Sequence, residues 1–216
     1  MKKILSIAIA AALAAPLSVF AADSVSWTNW TDVATGSLTQ NSTIGVTLSG
    51  PVQGLSYDSY YWDHTAAFTS AEITNAPAAE GTIITQGGSD VVNHIHFSTA
   101  VVNPYLAIFS AGQSGHPVTF VFSNDASLSL LSGGPGHWGG QALTLSGQTV
   151  TGEEGNGVVK LTGSYQDIWF TTPQSENYYG FTVGAAVAAV PEPSTYAMMG
   201  LGLGLLGFAA RRRKQA

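Results

Sequence analysis

Between Ser24 and Val183 apolar and polar residues alternate at every second position, in short runs cut by Gly, Pro, Asn and Asp. Ile44-Gly45-Val46-Thr47-Leu48-Ser49 shows the pattern plainly, as do the segments from Ala142 to Ser146 and from Val158 to Thr162. Successive side chains of an extended chain point to opposite faces, so a period of two yields one apolar and one polar face. Further strands are expected over Ser26 to Thr31, Gly81 to Thr85, Val91 to Ser98, Leu106 to Ser110, Val118 to Phe122, Leu128 to Leu131, Gln166 to Thr171 and Gly180 to Val183. No capped stripe of helical period stands out, and Ala66 to Ala71, closed off by Pro77, is the one weak helical candidate. Turns are expected at Ser49-Gly50-Pro51, Gln86-Gly87-Gly88 and Gly133-Gly134-Pro135-Gly136. Many short strands at this spacing predict an all-β ectodomain, an antiparallel β-sandwich or jelly roll. Parallel α/β folds need crossover helices, and solenoids or propellers need a fixed repeat; the sequence offers neither.

The composition narrows the chemistry. The chain has no cysteine, which excludes disulfides, cysteine-zinc sites and thiol catalysis. Between residues 22 and 190, 12 of the 13 acidic residues remain but only one of the seven basic ones, Lys160, for a charge near −11 with His neutral. Such a domain lacks the basic patch that phosphate binding needs, so no nucleic-acid partner is expected. Charged residues make up roughly 8% of this region against about 25% in an ordinary soluble domain, and Ser, Thr, Asn, Gln and Gly fill the surface instead. That surface is compatible with sugar ligands without demanding them. The length suits one domain with its own core.

Both ends read as targeting segments. Lys2 and Lys3 precede an apolar run from Ile4 to Val19, and Val19-Phe20-Ala21 supplies small residues for signal-peptide cleavage between Ala21 and Ala22. At the other end stand Pro191-Glu192-Pro193, an uncharged apolar stretch from Thr195 to Ala210, and Arg211-Arg212-Arg213-Lys214. A basic cluster behind an apolar span stays on the cytoplasmic side, which leaves everything upstream outside. Sixteen residues at about 1.5 Å each reach roughly 24 Å, short of the ~30 Å hydrocarbon core. Four glycines, Gly200, Gly202, Gly204 and Gly207, expose backbone that another membrane helix can approach closely. A processed tail fits these features better than a permanent single-span anchor, which is the alternative.

Pro191-Glu192-Pro193, the Gly-rich apolar stretch and the terminal basic cluster together resemble the PEP-CTERM sorting signal of bacterial exported proteins. The resemblance implies processing by an exosortase, a membrane-embedded cysteine protease or transpeptidase that releases or transfers the ectodomain. It covers the tail alone. The same tail occurs on unrelated ectodomains, some ice-binding proteins among them, so it implies an export route and leaves the activity open. Extracellular polysaccharide, commonly made by bacteria with this system, is the destination it implies. The expected plan is a signal peptide at 1–21, a β-sandwich ectodomain at 22–183, a linker at 184–190, and a sorting signal at 191–216 with a transmembrane helix at 195–210 and a basic tail at 211–214. The expected partners are signal peptidase and the secretion machinery, exosortase, the membrane until processing, and extracellular polysaccharide.

Within the ectodomain three aromatic clusters stand out: Tyr57-Asp58-Ser59-Tyr60-Tyr61-Trp62-Asp63-His64, Gly136-His137-Trp138-Gly139-Gly140, and Tyr178-Tyr179. Sugar rings stack their C–H faces on aromatics while carboxylates accept from their hydroxyls, so Trp62, Trp138, Asp58 and Asp63 are the glycan-binding candidates. Trp169, in Asp167-Ile168-Trp169-Phe170, is expected in the core. Asn93-His94-Ile95-His96-Phe97 places two imidazoles on one strand face, where they could reach a single metal. Cupin-type metal sites add a later Glu and His to such a pair. Here Glu72 lies upstream and His116 and His137 lack that spacing, so ordinary hydrogen bonding by His94 and His96 is expected, with no metal or other cofactor.

Hydrolytic chemistry is less well supported. Gly112-Gln113-Ser114-Gly115-His116 misses the spacing of a serine-hydrolase elbow and has no helix to follow it. Glu153 and Glu154 are neighbours that an extended chain would point to opposite faces, a poor glycosidase pair, although calcium could take such an acidic turn. No catalytic residue is expected. The sequence therefore predicts a non-enzymatic exported surface or matrix protein, possible polysaccharide binding included; the alternative is an extracellular carbohydrate-active or metal-dependent β-fold enzyme.

Overall fold

A computed structural model describes residues 23–123, 125–187, 201–203 and 211. The described residues are mostly antiparallel β-sheet with almost no helix, as the alternation predicts. Fourteen strands follow in chain order: β1 Val25–Trp27, β2 Asn29–Trp30, β3 Thr35–Thr39, β4 Thr43–Ser49, β5 Gly54–Ser56, β6 Thr82–Val102, β7 Tyr105–Ala111, β8 Val118–Phe122, β9 Leu128–Gly133, β10 Gln141–Ala142, β11 Thr144–Ser146, β12 Thr149–Gly152, β13 Gly155–Leu161 and β14 Ser164–Ala186. The weak helical candidate shrinks to a 3₁₀ turn at Thr65–Ala67, preceded by another at Ser59–Trp62.

Two long strands organise everything else. β6 has 21 residues and β14 has 23, and they pair antiparallel along nearly their whole length, interrupted by four register shifts. The first half of β14 also holds β8, which continues to β12 and β11; its second half holds β7, which continues to β13. On the other side, the later half of β6 carries β4, β3 and β2, while its early half carries β5.

The expected turn at Gln86-Gly87-Gly88 is instead an irregularity inside β6, so Gly81 to Thr85 and Val91 to Ser98 are parts of one strand. Gly87 and Gly88 sit at φ of 60° and 74°, a conformation that serves a bulge as well as a hairpin. Sequence alone does not separate the two. The opposing strand decides, because β14 keeps pairing past the defect. Likewise Gln166 to Thr171 and Gly180 to Val183 are two stretches of β14. That strand runs on to Ala186, so the first three residues of the segment expected as a linker pair with β1 instead.

Apolar residues from both halves of this network meet in one buried cluster, including Trp30, Val46, Ile95, Phe97, Leu106, Ile108, Phe120, Phe170 and Phe181. A second cluster lies on the opposite face of β7, where Tyr105, Ala107 and Phe109 pack under Tyr61, Trp62, Phe68 and Ile73. All seven residues of β7 are buried, and from Tyr105 to Phe109 they fall alternately into the two clusters; at Ser110, with φ of 51°, the alternation breaks, and Ala111 joins the first cluster. A strand covered on both faces loses its polar alternation, which is why Tyr105 to Phe109 reads as a continuous apolar run.

The signal peptide, its cleavage point at Ala21 and Ala22, Pro191 to Pro193 and Arg212 to Lys214 lie outside the described residues, as does most of the 195–210 span. Within that span Leu201, Gly202 and Leu203 are helical and exposed. Among the described residues no helix is long and apolar enough to cross a membrane.

Candidate functional site: an aromatic platform

The three aromatic clusters, separate in the sequence, converge at one place. The 3₁₀ turn Ser59–Trp62 supplies Tyr60 and Tyr61, the loop between β9 and β10 supplies His137 and Trp138, and β14 supplies Tyr178. Phe109 of β7 lies beneath and stacks on Tyr61, with ring centres 4.5 Å apart and planes inclined by 27°. Trp138 stands edge-on to Tyr60, His137 and Tyr178, with centroids 5.8, 5.4 and 6.0 Å away. Such pairs contribute about 0.5–1.5 kcal/mol each beyond their buried area. Trp138 nevertheless remains 47% exposed and Tyr60 38% exposed.

Polar contacts fix the rim. His137 Nδ1 donates to Asp63 Oδ2 at 2.7 Å, tying the Trp138 loop to the end of the 3₁₀ turn. Tyr60 donates its hydroxyl to Tyr61, and Tyr61 and Tyr178 share a hydrogen bond between hydroxyls. The bond to Tyr61 is the largest cause of a Tyr60 pKa pushed up to about 12, with burial second. The glycine-rich loop is closed by reciprocal backbone bonds between Gly136 and Gly139, of 2.7 and 2.9 Å, and Asn156 Nδ2 adds a third to the Gly139 carbonyl at 3.3 Å. Trp138 is thus held on an ordered turn.

The glycan candidates divide. Trp138 and Asp63 belong to the platform, and Asp58 is exposed near Tyr60, where it accepts from Ser56 Oγ at 2.9 Å. Trp62 does not belong: it is 1% exposed, packed edge-on against Phe68 and Phe109, with its indole N–H on Thr82 Oγ1 at 3.0 Å. Its neighbour Tyr61 packs on Phe109 as well but also reaches the rings of Trp138 and Tyr178. Tyr60, Tyr61, Tyr178 and His137 had signalled only as members of their local clusters, because nothing in the sequence reports that distant loops meet.

Trp169 overturns the expectation of a core residue, being 42% exposed. Ile168 and Phe170 point inward from β14, so Trp169 shares the outer face with Asp167. The same face receives the two histidines, since Asp167 pairs with His96 and Trp169 with His94 across β6. Asp167 Oδ1 accepts from His94 Nε2 at 2.7 Å and from His96 Nδ1 at 2.8 Å. Those two bonds, the one from His96 first, hold the Asp167 carboxyl below the ordinary carboxylate value. Sequence reasoning missed Asp167, which lies more than 70 residues downstream of the pair. Glu154, in the acidic turn, accepts from Ser110 Oγ at 2.8 Å.

Residues 189–214 match the PEP-CTERM protein-sorting motif, in agreement with the resemblance read from Pro191-Glu192-Pro193 and the basic cluster. The motif implies an exported protein whose sorting involves an exosortase, bound for secretion, the cell surface or the extracellular space. No curated protein and no solved structure matches the chain.

Proposed function

We propose that this chain is an exported, non-enzymatic matrix or surface protein that holds polysaccharide on the Trp138 platform after its tail has been processed. The observation that carries the reading is the meeting of three distant aromatic clusters around an exposed, immobilised tryptophan beside a carboxylate. Trp138 and Tyr60 offer faces for sugar C–H surfaces, and Asp63, oriented by His137, offers an acceptor for hydroxyls. Because neighbouring rings already hold Trp138, little side-chain freedom is lost on binding, and more of the contact energy becomes affinity. The −11 charge of the region and the scarcity of cations favour neutral or cation-bridged glycans over polyanions.

The scaffold in this reading is a two-layer antiparallel sandwich. Two observations support it: inward residues from both ends of β6 and β14 share one cluster, and the register shifts lie where those strands would bend from one layer to the other.

The test is binding of the full chain to exopolysaccharide from the producing cells and to an immobilised glycan panel. Trp138→Ala should weaken binding by at least tenfold and Tyr60→Ala by less, while Trp169→Ala, on a different face, should leave it unchanged. Binding that is absent in the native chain, or equal in Trp138→Ala, overturns the assignment.

A further inference from the structure

We propose that His94, His96 and Asp167 form a binding site for a first-row divalent transition-metal ion, on the outer face of the β4–β6–β14 sheet and separate from the aromatic platform. The three side chains each offer one donor atom, and these atoms all lie within 4.8 Å of one another. Bonds of about 2.0–2.2 Å from zinc to imidazole nitrogen or carboxylate oxygen put neighbouring donors some 3–4 Å apart, so a small rotation of the rings closes the set. A bound ion takes the place of the two N–H protons now directed at Asp167 Oδ1. Each neutral imidazole keeps its single proton on its other nitrogen, Nδ1 in His94 and Nε2 in His96.

The backbone fixes this arrangement. His94 and His96 lie two residues apart on β6, and Asp167 is the cross-strand neighbour of His96 on β14, so all three share one face. Thr47 and Ser49 of β4 stand opposite His96 and His94 on the other side. Trp169 stacks on the His94 ring at 3.4 Å with planes 7° apart, which holds the imidazole in one orientation. Among the described residues no lysine or arginine pairs with the carboxylate: Lys160, alone of its kind between residues 22 and 190, is bonded to Glu72 at 2.7 Å. Two imidazoles and one carboxylate select zinc, copper or nickel over calcium, which needs six to eight oxygen ligands. His94 is 23% exposed and Asp167 41%, so the remaining coordination positions open to solvent.

The test is titration of zinc sulfate into the full chain, purified in mild detergent without a polyhistidine tag and stripped with chelator. Calorimetry should give saturable binding of about one equivalent at micromolar zinc, with no heat from calcium at the same concentration. In the unmodified chain, the imidazole NMR signals of His94 and His96 should move while those of His116 and His137 stay. Copper should quench part of the tryptophan emission, and Trp169→Phe should lose that quenching yet keep the binding heat. Asp167→Asn and His96→Gln should each bind at least tenfold more weakly. Absence of saturable binding by both metals, equal affinity in the two ligand variants, or movement of His116 or His137 alone overturns the proposal. The NMR experiment decides even where a variant fails to fold.

Discussion

Asp32 fixes its turn through one side chain. Its carboxylate accepts from the backbone N–H of Ala34 and Thr35, at 2.7 and 2.8 Å, and from Thr35 Oγ1, between β2 and β3. The Thr35 hydroxyl bond, ahead of the backbone bond from Ala34, lowers the Asp32 pKa below its ordinary value near 3.9. A carboxyl with a depressed folded-state value stabilises the turn fully above about pH 4, and the contribution is lost as pH falls through the lowered value. The amide NMR shifts of Ala34 and Thr35 should therefore titrate together with a midpoint below 3.9, and a midpoint at or above it would contradict the capping role. The residue scale also shows where reading stops. The alternation of His94 with Ile95 and Phe97 gave the correct face for the histidines, whereas Trp169 was misplaced because Asp167-Ile168-Trp169-Phe170 is aromatic on both faces. Only Asp167, two positions from Trp169, hinted that the shared face was the wet one.

At the scale of elements, the close fit between β7 and β14 depends on Gly180. It lies opposite Phe109 on one side and Ile84 on the other. A Cβ built there would strike the Ile83 carbonyl oxygen and stand 2.5 Å from Phe109 Cε1. Gly180→Ala should cost about 1–3 kcal/mol from overpacking. For a domain of this size each kcal/mol lowers Tm by about 2–4 °C. Gly54→Ala, in β5, meets nothing within 4 Å and should leave the melting temperature nearly unchanged; thermal unfolding of both variants by circular dichroism checks the pair. Most strand positions were legible from period two alone, as β4 and β8 show. The lengths of β6 and β14 were not: in β6 the Gly87-Gly88 pair with positive φ breaks the local pattern whether the chain reverses there or only bends, and in β14 Pro173 and a polar stretch separate the two expected segments. The choice is made by a partner strand some 90 residues away in sequence.

For the whole molecule, transit decides what the ectodomain meets. Material recovered from the cell surface or medium should begin at Ala22 and lack Arg211 to Lys214, while cells without the exosortase should retain that cluster. Intact-mass measurement on both preparations checks this, and an uncut tail in every fraction would remove the processing step. Targeting is written in local sequence because translocation machinery and membrane enzymes read short linear segments: Pro191-Glu192-Pro193, the apolar run and the basic cluster needed no tertiary contact to be recognised. The all-β class was equally local, since alternation acts through the pleat of each strand on its own. Tertiary structure alone decided which faces are wet and which distant residues touch. It buried Trp62, exposed Trp169, gathered Tyr60, Trp138 and Tyr178 from three elements, and set Asp167 against His94 and His96. The physical reason is that a site built from long-range pairs depends on strand register and on which side of a sheet the next segment covers. Both are settled by packing of the entire core, and no local pattern encodes them.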